Sequence, residues 1–194
     1  ADYGLELLVI PVIRGQSNYR SLFIVPRSAD AAENLDALAG KRFAAADPLS
    51  NTGWLYPADQ LRQRGHDPKT FFSEVVYTGG HDRSVFAVAD GHVDGAAVDS
   101  VIYEEVTAAD PGILKRVQVV HRSQTFGMPP VVVPPGMEPE LRARLERAFL
   151  SFHESPGGRA ALEPLGIDRF ILADPAAYDG VRAMSARHRT ARHP

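Results

Sequence analysis

The sequence contains no cysteine, so disulfides, thiolate zinc sites and cysteine nucleophiles are all excluded. It has no surplus of positive charge either, since 21 Lys and Arg stand against 24 Asp and Glu for a formal net charge of -3. A chain of that balance offers nothing to neutralise a phosphate backbone, and nucleic acid is not an expected partner. No apolar run reaches the length of a bilayer span, because Pro, Arg or Asp breaks every candidate within a few residues. The histidines, His66, His81, His92, His121, His153, His188 and His193, include no i, i+4 pair on an expected helix, so neither a metal centre nor a cofactor is expected. Repeats and low-complexity tracts are lacking too. The chain opens on Ala1-Asp2-Tyr3-Gly4 and enters a strand-like segment directly, so an export signal is expected to be absent from it. What remains is ordinary globular material: 194 residues, 44% hydrophobic and 23% charged, enough for one substantial core or two small ones.

Short β-like runs alternate with segments of helical period, the pattern of βαβ units around a parallel sheet. Strands are expected at Leu5–Ile10, Leu22–Val25, Arg42–Ala46, Glu74–Tyr77, Gly95–Val98, Val117–His121 and Val131–Val133. Helices are expected at Ala31–Leu38, at Trp54–Arg64 with Pro57 kinking or delaying its start, at Asp82–Asp90 and at Val101–Ala108. Val85, Phe86 and Ala89 would form the buried face of the third of these. A long helix from Glu138 to Ser155 carries Leu141, Leu145, Ala148, Phe149 and Phe152 at helical spacing, a face expected to be core or lobe interface. The tail from Arg182 to Pro194 reads as a fraying surface helix or a disordered end.

In open α/β sheets ligands sit beyond the carboxyl ends of the strands, which singles out three places. After Arg42–Ala46 comes Asp47-Pro48-Leu49-Ser50-Asn51-Thr52-Gly53, where hydroxyls precede helical amides that an anion could use. The plainer reading is that one of these residues is an N-cap. After Glu74–Tyr77 comes Thr78-Gly79-Gly80-His81-Asp82-Arg83-Ser84, with His81 at a helix start, either a donor to an anion or a surface or capping residue. After Gly95–Val98 comes Asp99-Ser100, where the carboxylate could accept from a protonated oxyanion or an amine, or cap the next helix.

These turns, together with Tyr19-Arg20-Ser21-Leu22-Phe23-Ile24-Val25, Leu35–Ala44 and Gly91–Ser100, occur in the order seen in the phosphate/phosphite/phosphonate-binding proteins of ABC transporters. The sequence resembles that family from about Tyr19 to Tyr178. The resemblance implies an α/β type II periplasmic-binding fold of two lobes, with open mixed sheets flanked by helices and an anion in the cleft between lobes. Residues 1–21 and 122–194 would form a partial first lobe and residues 22–121 the second. Ser50, Asn51 and Thr52 resemble the oxyanion-binding turn, His81 the histidine donor, Tyr19 the hinge-side tyrosine whose hydroxyl reaches the ligand, and Asp99 an acidic cleft position. Asn51 stands where the family often has Ser or Thr. Gln124-Thr125-Phe126-Gly127-Met128-Pro129-Pro130 lacks the Asp usual in phosphonate binders, which argues against an aminoalkyl tail.

The family's implied setting is the periplasm, or a lipid-anchored extracytoplasmic position, with a small oxyanion as ligand and an ABC permease, or alternatively a receptor, as partner. A different class of reading is a hydrolase, with Ser50 or Ser84 beside His81 and Asp99, although no Gly-x-Ser-x-Gly elbow follows a strand. The family's first lobe also has β-α-β-α units ahead of the point where this chain begins. Half a sheet would expose an edge and an apolar face, so the flanking segments are expected either to pack abnormally or to complete themselves against a second copy of the chain, a homodimer by strand or helix exchange.

Overall fold

A run of three buried residues, Leu8, Val9 and Ile10, marks the centre of the first strand, β1 (Glu6–Ile13). The structure, a computed structural model, describes residues 4–28, 32 and 34–190. The chain divides into two compact units: residues up to Tyr19 with Thr125–Gly180, and Arg20–Gln124 with the chain from Val181 on.

The first unit holds β1 and β2 (Asn18–Tyr19). The second then supplies β3 (Ser21–Pro26), β4 (Arg42–Ala45), α1 (Tyr56–Gln63), α2 (Pro68–Phe71), β5 (Glu74–Tyr77), α3 (His81–Ala89), β6 (Gly95–Asp99), α4 (Ser100–Ala109), α5 (Ile113–Arg116) and β7 (Val117–Arg122). Back in the first unit come β8 (Phe126–Gly127), β9 (Val131–Val133), α6 (Pro139–Ser151), α7 (Pro156–Leu162) and β10 (Ile167–Leu172). The last helix is α8 (Asp179–Thr190). Of the expected helix over Ala31–Leu38, residues 31 and 33 lie outside the described residues, and Asp36–Leu38 forms a single 3-10 turn.

In the second unit the sheet order is β5-β4-β6-β3-β7. β4 runs parallel to β5 and β6, whereas β3 is antiparallel to β6 and β7, so the sheet is mixed and only its β5-β4-β6 part has the parallel arrangement read from the alternation. Strand period two sends Leu22 and Ile24 to one face, where they meet Val85 and Val88 of α3, Tyr103 of α4 and Ile113 of α5. Ser84, Val85 and Val88 are the buried positions of α3, while Phe86, expected inside, is exposed. Phe23 projects from the other face and meets Tyr56 of α1 at 5.7 Å between ring centroids, and Phe43 stacks on Phe72 at 4.3 Å.

The first unit centres on the antiparallel order β10-β1-β9. β9 pairs with β1 only as far as Val9, so Pro11, which has no N–H to give, faces a partner on the β10 side alone. Leu8, Val9, Val133, Leu162 and Phe170 make the core, packed by Leu145 and Phe149 of α6. Leu141 and Phe152, expected on that face, are exposed. The long helix expected to reach Ser155 ends at Ser151, because Ser155 begins another: its Oγ accepts from Gly158 N–H at 2.9 Å and Pro156 takes the first position of α7. β10 was not anticipated from the sequence. It gives β1 its second neighbour within the chain, so the ground for the expected homodimer by element exchange falls away.

The tail also departs from expectation. From Val181 on it belongs to the second unit rather than the first, and α8 is a helix that buries Met184. Arg187 grips Asp59 of α1 with two parallel hydrogen bonds of 2.7 and 2.9 Å, and Gln63 adds a third to the same carboxylate at 2.6 Å. Asp59 is 2% exposed, so its charge depends on these donors. Arg187→Ala should lower stability by about 1 to 3 kcal/mol in urea melts, the cost of a buried charge stripped of a donor. Arg189→Ala, whose only change is an exposed bond to Ser185, should leave the midpoint alone; equal midpoints for both variants would mean that α8 is not held this way.

Candidate functional site

β4 lies between two parallel neighbours, with Ala45 opposite Tyr77 of β5 and Ala97 of β6. Parallel strands in this register end at one edge of the sheet, and the turns beyond them meet there. Two backbone bonds tie the first two turns together, from Thr78 N–H to Ala45 C=O at 3.0 Å and from Gly79 N–H to Ala46 C=O at 2.9 Å. Gly79 makes the turn at φ 77°, in the left-handed region that favours glycine.

In the turn after β4, Ser50 is the N-cap: its Oγ accepts from Gly53 N–H at 3.0 Å. The helix then begins one residue wide, as a π-turn over Asn51–Leu55, with Leu55 N–H and Tyr56 N–H reaching back five residues to the Ser50 and Asn51 carbonyls. Pro57 interrupts that ladder. The next donor would be position 57, and proline has no N–H to offer the Thr52 carbonyl. Ser21, wholly buried on β3, supplies the donor instead, its hydroxyl 2.7 Å from that oxygen. Pro57 thus displaces the start of the regular helix from the expected Trp54 to Tyr56, and a wide turn that begins earlier, at Asn51, leads into it.

His81 is the first residue of α3, whose N-terminus receives no side-chain cap. Its Nδ1 lies 3.2 Å from the main-chain N–H of Asp99, and its Nε2 lies 3.3 Å from Ser50 Oγ. A main-chain N–H can only donate, so Nδ1 accepts and the proton of the ring sits on Nε2. Burial lowers the His81 pKa, against a smaller opposite pull from Asp82, and this favours the same neutral form. Ser50 Oγ therefore accepts from Gly53 N–H and from His81 Nε2–H, and its own proton remains to be given. Gly53 is pressed against this pair: a Cβ there would stand 3.0 Å from Ser50 Oγ, 3.1 Å from Ala46 N and 3.2 Å from His81 Cε1.

Asp99 spends Oδ1 on capping α4, accepting from Val101 N–H at 2.7 Å and more weakly from Ile102 N–H at 3.4 Å. Burial pushes its carboxyl pKa up, the two amides pull it down, and Glu104 adds a smaller rise.

Ser50, His81 and Asp99 are thereby linked in one chain of contacts. Thr52 is next to them but only 1% exposed. Asn51 opens the wide turn and is partly buried. Tyr19 is in the first unit, on β2, its ring 6.0 Å from that of Phe126. Ser84 is fully buried and closes its own turn, bonded to Thr78 Oγ1 at 2.7 Å and to Gly80 C=O at 3.2 Å. Ser21 escaped the sequence reading. Its signal was Pro57, which leaves a carbonyl five residues earlier in need of a donor.

A serine hydrolase needs an imidazole nitrogen that accepts the serine proton and a carboxylate that holds the other ring N–H. The arrangement is the reverse. Nδ1 takes a backbone proton, Nε2 already carries one toward Ser50, and the Asp99 carboxylate faces α4. Such a cluster offers hydrogen-bond donors and no base.

The fold is that of the periplasmic binding proteins. Residues 1–178 match the family model described as "ABC transporter, phosphonate, periplasmic substrate-binding protein", and the chain belongs to that family. It is 28% identical over 186 residues to the phosphate-import protein PhnD of Mycolicibacterium smegmatis, covering 87% of this chain and 57% of that protein. To the phosphonates-binding periplasmic protein of Escherichia coli K12 it is 26% identical over 156 residues, covering 78% of this chain and 46% of that protein. The chain spans about half the length of these curated relatives. The solved structure of PhnD1 from Prochlorococcus marinus in complex with methylphosphonate is similar with a TM-score of 0.74 at 18% identity, covering 94% of this chain and 72% of that one.

Because the His81 pKa is depressed in the folded chain, the unfolded chain takes up that proton first. The stability is complete above the unfolded value of about 6.5 and is lost as pH falls from there towards the folded value. His121, also depressed by burial and by Arg64, acts in the same window. Urea midpoints should therefore fall on acidification from neutral pH, less steeply in His81→Gln than in the unaltered chain, with His121→Gln removing a separate share. Parallel pH profiles for His81→Gln and the unaltered chain would contradict a buried neutral ring.

Proposed function

We propose that this chain binds a small phosphorus oxyanion, phosphate, phosphite or a short alkylphosphonate, as the solute-binding component of an ABC transporter in the periplasm. The observation that carries this reading is the His81 ring held as an Nε2–H donor beside the Ser50 hydroxyl at the shared strand ends. The Ser50 hydroxyl has its proton to give to an anion, Nε2–H can turn to the same anion in exchange for its bond to Ser50, and the uncapped first turn of α3 adds backbone amides of the same polarity. Ser50, Asn51, Thr52 and His81 form the oxyanion side of the site in this reading, with Asp99 at its border.

The two units would be the two lobes, and the partner a permease. The names of the curated relatives, one phosphonates-binding and one phosphate-import, and the methylphosphonate of the related structure support the ligand class. Gln124–Pro130 carries no acid to meet an amine, which favours ligands without an aminoalkyl tail.

Thermal-shift measurements with phosphate, phosphite, methylphosphonate, aminoethylphosphonate and sulfate test this. A ligand at a hundredfold excess over its Kd should stabilise the chain by about 2.7 kcal/mol. Calorimetry on His81→Ala and Thr52→Ala should show affinity lower by about tenfold to a hundredfold, the worth of one charge-assisted hydrogen bond. Stabilisation by none of the phosphorus oxyanions, or unchanged affinity in both variants, would overturn the assignment.

A further inference from the structure

Beyond the strand-end turns, the second unit contains a groove of about 530 Å³ with a different chemistry. Trp54 and Tyr77 form its aromatic wall, and Arg62, His66, Lys69 and His188 bring positive or protonatable nitrogen to it from α1, the turn after it, α2 and α8. The two rings meet edge-on, with centroids 6.0 Å apart at 75°. An edge-on pair leaves ring face available to a further planar group. Asp67 is the acid in the lining, and its Oδ1 is engaged as the cap of α2, accepting from Lys69 N–H at 2.9 Å. Lys69 itself makes no ion pair among the described residues. A second hollow of about 300 Å³ continues past Trp54 along the edge of β5, sharing Trp54, Pro68, Lys69 and Tyr77.

The chain as a whole is negative, yet here two fixed cations and two imidazoles share one concave surface with exposed aromatic area. Apolar ring surface beside cations is what a flat ring bearing an anion needs: the ring stacks, and the anion collects charge-assisted hydrogen bonds. The volume is within the range of small-molecule sites. We infer that this groove is a second binding site, for a flat aromatic ring carrying a phosphoryl group, such as a nucleoside monophosphate or an arylphosphonate.

Trp54 is the sole tryptophan of the sequence, so its fluorescence reports on this groove directly. Adenosine 5′-monophosphate and phenylphosphonate, titrated separately, are expected to quench it saturably, whereas inorganic phosphate is not expected to displace them. Whichever of the two binds tighter identifies the nucleoside or the aryl source of the shared chemistry. Lys69→Gln and Arg62→Gln should each weaken binding by about tenfold, the loss of one charge-assisted bond. Lys69 is exposed, so its variant can be checked for an unchanged melt. The inference is overturned if neither probe gives saturable quenching. It is equally overturned if quenching survives Lys69→Gln and Arg62→Gln but is lost in His81→Ala, which would put the aromatic anion at the strand-end turns.

Discussion

The parallel register of β4 between β5 and β6 is the constraint on which the candidate site rests. With Ala45 fixed opposite Tyr77 and Ala97, three strands stop side by side, and the chain must turn three times in one small volume. Ser50, His81 and Asp99 come from separate turns, yet each touches the next because the strands beneath them cannot slide. The polarity of the cluster comes from the same crowding. A backbone amide meets Nδ1, so the proton is placed on Nε2, and burial keeps the ring uncharged. Asp99 would oppose an anion if its carboxylate faced the cluster unshielded. The amides of α4 absorb that charge instead, and what Asp99 gives His81 is its main chain.

Much of this was legible in the sequence. Strand period and Gly or Pro punctuation located β3, β4, β5, β6 and β7, and the rule that ligands gather at strand ends selected the turns holding Ser50, His81 and Asp99. The plainer alternatives are the ones the hydrogen bonds bear out directly, since Ser50 and Asp99 are both helix caps. The two readings do not compete: a serine that accepts an amide proton still has its own to donate.

What the sequence hid was tertiary. Ile167–Leu172 looks ordinary alone, and only the unpaired edge of β1 makes it a strand. The tail from Arg182 looks dispensable because its charges are local and plentiful, and the partner of Arg187, Asp59, lies 128 residues away on another helix. The tautomer of His81 depends on a contact with the backbone of Asp99, which no side-chain pattern could announce. Phe86, Leu141 and Phe152 show the limit of periodicity itself, for an apolar residue at the rim of a helical face can be left outside the contact with the sheet.

The wide turn over Asn51–Leu55 bears on how this segment can change over time. A π-turn holds one residue more than an α-turn, and one residue is about 100° of rotation around a helix axis. That extra residue is what lets Tyr56 and Leu61 of α1 be buried while Ser50 stays at the strand ends. A substitution at Asn51 alters one side chain. A deletion between Ser50 and Pro57 would instead turn either the polar turn or the apolar face of α1 away from its partners, and Pro57 could no longer sit where its missing N–H is matched by Ser21. The length of this stretch is thus held more tightly than its letters, and variation here should proceed by replacement, with insertions and deletions confined to the outer loops.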